Sequence, residues 1–272
     1  MSSDEIRRPH PTARAFFDAL DQRQQPQSDG AIKASTRQSD FIKKRTLSLG
    51  WRSRYTQAEQ YPVSIVGGGH EQQFTIRQVQ RGEIDGTYGT GATVWPASMV
   101  LLKYLEKHPD LVANKSVVDL GAGTGVTSLA AAICGAERVI CTDGIASVVK
   151  LAQDNVDSAQ LVGIDKKRIE VADYWWGSGS LNEQFDVVLV SDCVLPKLYP
   201  IAPLVDGLVE LMKPNSVAIL SYEHRHFAEY NPAEKFRELA AAKGLQTKIV
   251  AKEELDPVYS VDDIQIWQVT KV

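Results

Sequence analysis

The stretch Val117–Ala130, VVDLGAGTGVTSLA, constrains the fold more than any other part of the chain. An apolar run ends in Asp119, glycines stand at 121, 123 and 125, and a run rich in Ala, Val and Leu follows. The pattern predicts a buried parallel strand, a tight turn and a helix start. Glycine suits the turn because the backbone must bend sharply and present no Cβ to a ligand. A nucleotide-containing cofactor is the expected occupant.

Spacing narrows that occupant. The dinucleotide fingerprint places glycine at the first, third and sixth positions, the last allowing helix and strand to pack closely beside a pyrophosphate. Here the sixth position is Val126, and an acid, Asp119, stands two residues before the first glycine. A carboxylate at that strand end repels a pyrophosphate and suits a cofactor with a cationic amino-acid tail. S-adenosylmethionine carries such a tail. Asp143 closes the next strand, ERVICTD, where a carboxylate can accept from both ribose hydroxyls of an adenosine. A dinucleotide uses an acid there too, so Asp143 supports nucleoside binding without choosing the cofactor.

With 272 residues and 43% apolar composition, one α/β domain plus an appended segment fits the length better than two domains. Residues 1–58 read as a polar, partly disordered tail, with weak helical character at Ala13–Leu20 and a basic cluster at Lys43, Lys44 and Arg45. Residues 59–90 form an N-terminal extension. In it Tyr61–Val66 and Gln73–Val79, joined by Gly67, Gly68, Gly69 and His70, predict a β-hairpin. The domain proper is expected over 91–272. Trp95 precedes an amphipathic helix at Ala97–Lys107 and reads equally as a core anchor or as a ligand-facing ring.

Further along, Arg168–Ala172 predicts a third strand opening into Asp173-Tyr-Trp-Trp-Gly177. Adjacent side chains point in different directions, so at least one of Trp175 and Trp176 should line a pocket and pack on an adenine ring. Asp173 is either an acceptor for the adenine amino group or an ordinary loop carboxylate. Phe185–Val190 is a fourth strand running into Ser191 and Asp192. In an open parallel sheet the crevice lies outside the strand carboxyl ends. Asp192 therefore falls beside the reactive part of a bound cofactor, to orient an amine or merely to cap the next segment. Ser216–Ser221 is a fifth strand, and Leu245–Val250 with Ile264–Val269 predict a closing antiparallel pair.

Other classes find little support. The net charge of −4 gives no general affinity for nucleic acid. Cys134, Cys141 and Cys193 lack metal-ligand spacing and read as reduced, buried thiols of an intracellular protein. His224 and His226 have no third ligand nearby and read as a surface loop. No run approaches a membrane span, and the polar N-terminal stretch lacks a signal-peptide core. The expectation is a cytoplasmic monomer, also compatible with the nucleus, without membrane or nucleic-acid partners.

Five strands alternating with helices, then an antiparallel pair, resemble the seven-strand S-adenosylmethionine-dependent methyltransferases. These have a Rossmann-like doubly wound α/β sheet, mostly parallel with an antiparallel closing strand. From about Thr90 to Val272 the chain resembles, more narrowly, the methyltransferase-like protein-lysine methyltransferases called family sixteen. Val94-Trp95-Pro96-Ala97-Ser98, Asp119-Leu-Gly-Ala-Gly-Thr-Gly125, Thr142-Asp143, Trp176-Gly177 and Ser191-Asp192 carry the likeness. The resemblance implies that Trp95, Asp119, Gly121, Ala122, Gly123, Asp143, Trp176 and Ser191 line a pocket for S-adenosylmethionine. It also implies a protein substrate bearing a target lysine, with chaperones and translation factors as the expected class. Asp192 is then the candidate for steering the amine.

One departure stands out: the family usually reads acid-x-x-Tyr or acid-x-x-Phe after the fourth strand, whereas this chain has Leu195. Tyr199 or Tyr222 is the expected replacement for that aromatic. Methyltransferases of nucleic-acid amines carry prolines after the fourth strand, and Ser191–Leu195 has none. Arginine methyltransferases carry a paired-glutamate loop there, and the next glutamate here is Glu210. A small-molecule methyltransferase and a non-catalytic cofactor-binding protein stay open as alternatives.

Overall fold

The computed structural model describes residues 50–79, 89–195, 199–226 and 230–271. The features expected at Ala13–Leu20 and Lys43–Arg45 lie outside them. In chain order the elements are a short helix α1 (Gly50–Ser53), the strands β1 (Gln60–Gly67) and β2 (His70–Arg77), and helix α2 (Pro96–Lys107). Next come β3 (Ser116–Leu120), α3 (Val126–Ile133), β4 (Arg138–Asp143), α4 (Ala146–Ser158), β5 (Ile169–Asp173) and β6 (Phe185–Ser191). The chain continues through α5 (Ile201–Leu211), β7 (Met212–Glu223), α6 (Pro232–Ala242), β8 (Leu245–Ile249) and β9 (Ile264–Lys271).

Seven strands form one sheet in the order β5-β4-β3-β6-β7-β9-β8, and β1 pairs with β2 in a separate antiparallel hairpin. The neighbours from β5 to β7 are parallel, while β9 runs antiparallel to both β7 and β8. The expected closing pair is present. Its last strand lies inside the sheet, between β7 and β8. Strand order reverses between β3 and β6, which places the ligand crevice outside their carboxyl ends.

The sequence explains the layering. β6, FDVVLVS, is buried at nearly every residue, as a strand covered on both faces must be. Alternation then sends neighbours to opposite sides: Val117, Val187 and Leu189 join the core under α2, α3 and the hairpin, and Val118, Val188 and Val190 join the core under α5 and α6. Pro96 opens α2 at a position where its missing N–H costs nothing. Asn231 caps α6 by accepting from the N–H groups of Ala233 and Glu234.

The hairpin belongs to the core of the domain. Ile65 and Ile76 are fully buried in it, each stabilising by about 1.5–3 kcal/mol. Side chains also clamp the hairpin. Asn155 of α4 accepts from the Arg77 N–H and donates to the Arg77 and Thr124 carbonyls, and Gln72 makes a reciprocal pair with the backbone of Val162. Gly67 lies so close to α3 that a Cβ would stand 2.3 Å from the Ile133 carbonyl oxygen. Ahead of the hairpin, Trp51 of α1 packs against Tyr259 with ring centroids 4.7 Å apart.

Candidate active site

Asp119 ends β3 and is fully buried. Its Oδ2 accepts from Thr127 Oγ1 at 2.5 Å and Ser128 Oγ at 2.7 Å, so the carboxylate ties β3 to the first turn of α3. Its Oδ1 is buried with no hydrogen-bond partner among the described residues. Burial pushes this carboxyl up to about 6; the two hydroxyls offset part of the rise, and Asp143 adds repulsion. Between strand and helix, Gly121 and Gly123 take left-handed backbone angles, φ 64° and 56°. A Cβ on Gly121 would meet Cys193 Sγ at 2.9 Å and the Trp176 ring at 3.1 Å. Ala122, the residue between them, is buried and donates its N–H to the Thr142 carbonyl.

The neighbouring strand end supplies Asp143, whose Oδ2 accepts from the Gly123 N–H at 3.2 Å and whose Oδ1 accepts from the Ile145 N–H at 3.1 Å. This acid therefore fixes the glycine loop as well as facing the crevice. Burial raises it to about 6, and these backbone donors offset part of the rise. Of the paired tryptophans, Trp176 turns inward, edge-on to Tyr199 with centroids 5.5 Å apart. Trp175 turns outward, 52% exposed, with its ring lying on Gly144. Asp173 is exposed.

The crevice is completed from the segment before α2. Thr90 bonds the Tyr199 hydroxyl through its own and accepts from Trp95 Nε1 through its carbonyl. Ser98 of α2 bonds Ser191 at 2.7 Å. The structure thus gathers Trp95, Gly121, Ala122, Gly123, Asp143, Trp176, Ser191 and Tyr199 at the carboxyl ends of β3, β4, β5 and β6. Of the two tyrosines expected to replace the aromatic missing at Leu195, Tyr199 lies in this crevice. Tyr222 stacks on Trp267 in the core under α5 and α6, and burial pushes its phenol up.

Asp192 sits at the crevice edge with φ 56° and is 4% exposed. Both of its oxygens are taken: Arg225 Nη1 donates to Oδ1 at 2.9 Å and Nη2 to Oδ2 at 2.5 Å. The same guanidinium lies 5.5 Å from the Trp95 ring and reaches Glu223 Oε2 at 3.2 Å. Glu223 Oε1 in turn accepts from Arg52 Nη2 at 2.5 Å, and that nitrogen also reaches Asp263 at 2.7 Å. Burial opposes the Arg225 charge, but Asp192 and Glu223 outweigh it and hold its pKa above the usual arginine value. Glu223 is held above its ordinary value by burial and by Asp192, against the pull of the two arginines.

Sequence reasoning missed Arg225, Glu223 and Arg52. Arg225 lies in the run Glu223-His-Arg-His226, where an arginine between two histidines carries no spacing signal of its own. Both histidines are exposed, and no metal-holding cluster occurs among the described residues.

A family model described as lysine methyltransferase matches residues 75–239. The chain is 28% identical over 189 residues to the protein N-terminal and lysine N-methyltransferase efm7 of Schizosaccharomyces pombe, covering 62% of this chain and 70% of that one. It is 32% identical over 148 residues to the protein N-lysine methyltransferase METTL21A of Xenopus tropicalis, covering 53% of this chain and 65% of the relative. Among solved structures it is similar to the T. thermophilus 16S rRNA N2 G1207 methyltransferase RsmC in complex with AdoMet and guanosine. The TM-score is 0.51 and the identity 20%, over 79% of this chain and 51% of that one. The likeness to RsmC is one of fold.

Proposed function

The chain belongs to the lysine methyltransferase family, as an S-adenosylmethionine-dependent protein-lysine methyltransferase, and on that premise we propose that it methylates a lysine of a cytoplasmic translation factor or chaperone. We further infer that it acts as a monomer and also works in the nucleus.

One observation carries the assignment of the site: a crevice with no room for a Cβ at Gly121, a carboxylate at Asp143, and aromatic walls from Trp95, Trp176 and Tyr199. These residues fit the cofactor. Gly121 lets Cys193 and Trp176 close directly on the glycine turn, and the Asp143 carboxylate stands beside that turn, accepting from the Gly123 N–H, as an acceptor for ribose hydroxyls. The orphaned Oδ1 of Asp119 adds negative potential beneath the loop. Bound there, S-adenosylmethionine supplies a methyl group already activated on a sulfonium.

The chain's own contribution is alignment and exclusion of water. A lysine amine, ordinarily near pKa 10.4, must enter without its proton, and a desolvated aromatic channel lowers that cost. Trp95, Trp176 and Tyr199, joined through Thr90 and the Trp176–Tyr199 ring contact, are the side chains that would wall such a channel. Asp192 borders it, held by Arg225, and acts by position rather than as a strong base. A protein α-amine, ordinarily near pKa 8, is the second reading, because efm7 is named for both N-terminal and lysine methylation.

Calorimetry with S-adenosylhomocysteine should show binding. Tritium-labelled S-adenosylmethionine with an extract of cells lacking this chain should label a protein band, and peptide mapping should put the methyl on a lysine Nζ. Label confined to small molecules would overturn the protein-substrate reading.

A further inference from the structure

Resting on the functional reading above, we propose that Arg52, on α1 and ahead of the residues the family model matches, is a positioning residue for the acceptor side of the site. It acts through Glu223 and Arg225 on Asp192.

From Asp263 to Asp192 the charges alternate: Asp263, Arg52, Glu223, Arg225, Asp192. Glu223 divides its two oxygens between the two guanidiniums, Oε1 to Arg52 and Oε2 to Arg225. Arg225 is thereby left to Asp192, which it grips through both oxygens. Asp192 needs that grip, because a non-glycine residue at φ 56° is strained. Removing the Arg52 charge leaves two largely buried carboxylates competing for one guanidinium, and a buried carboxylate without a partner is strongly disfavoured. Arg225 then moves toward Glu223, loosening Asp192. Meanwhile α1 keeps its other anchors, the Trp51 Nε1 bond to the Val258 carbonyl and the stack on Tyr259, so the Arg52 side chain can be removed with α1 still docked.

The test is a cycle of Arg52→Ala and Glu223→Gln. It reads the initial rate of tritiated methyl transfer from S-adenosylmethionine into an extract of cells lacking the chain, and S-adenosylhomocysteine affinity by calorimetry. Arg52→Ala should slow transfer roughly tenfold while cofactor-product affinity changes less than about twofold. In the Glu223→Gln background the same change should cost less than about twofold, because a neutral amide does not compete for Arg225. Arg52→Lys should recover part of the rate. Equal losses in both backgrounds, no loss at all, or a loss that tracks product affinity would overturn the proposal. If the unaltered chain neither binds S-adenosylhomocysteine nor transfers label, the functional reading itself fails, and this inference with it.

Discussion

At the scale of single residues, Gly121 is a place where the fold leaves no room for a side chain. Its φ is left-handed and its Cβ position is already claimed by Cys193 and Trp176. Gly121→Ala should weaken S-adenosylhomocysteine binding by about tenfold or more, since the added methyl displaces the Cys193 and Trp176 side chains, while its backbone strain of about 1–2 kcal/mol is felt in stability. Gly179 is also left-handed, with nothing near its missing Cβ, so Gly179→Ala should carry the strain and leave binding unchanged. Equal affinities for the two variants would remove the crevice from this place.

Asp119 and Asp143 predict a pH dependence. Both folded carboxyls stand at about 6 because of burial, above the ordinary 3.8. The folded state therefore binds more protons in that window, and stability should fall as pH climbs from near 4 to near 6. Asp186 works the other way: hydrogen bonds from Lys213 and Ser116 lower it to about 2, so its contribution is lost only in stronger acid. Urea unfolding at a series of pH values should show the fall, and Asp119→Asn should flatten it. A variant with unaltered slope would contradict the assignment.

Among the elements, the hairpin shows what a pattern of residues can and cannot reveal. Its existence was legible, because Tyr61, Val63 and Ile65 alternate with exposed neighbours in β1. Its place was not, because the clamps from Asn155 and Gln72 join residues 78 and 90 positions apart and leave no local periodicity. Asn155→Ala should cost about 1–3 kcal/mol, since it strands the buried Thr124 carbonyl and removes the partner of the part-buried Arg77 backbone groups. Denaturant titration would measure that loss, and a change within error would mean water replaces the amide. The closing pair tells the same story. Each strand was legible in its composition, while the insertion of β9 between β7 and β8 follows only from pairings across the whole sheet.

For the molecule as a whole, the clustering of the glycine turn, Asp143 and Trp176 at one end of the sheet was legible in the sequence. Strand ends converge by topology, so a glycine turn, Asp143 and Trp176 could be placed in one crevice from the order of elements alone. The ion-pair network around Asp192 was less legible, because Arg52 and Glu223 lie 171 residues apart and an ion pair of that reach has no spacing rule. Ligand binding should accordingly be felt at one end of the sheet. Hydrogen exchange with S-adenosylhomocysteine should slow at residues 89–95, 121–125, 143–145 and 174–177 and leave β8 unchanged. At a concentration one hundred times the dissociation constant, unfolding should become harder by about 2.7 kcal/mol. Uniform slowing throughout the sheet would argue for a different mode of binding.

Cys134, Cys141 and Cys193 are all free thiols and all buried, the first beyond α3, the second inside β4, the third against the glycine turn. An alkylating reagent meets each one only when its surroundings open, so the chain carries three native clocks for local breathing. A ligand seated against Gly121 should slow the Cys193 clock far more than the Cys134 clock.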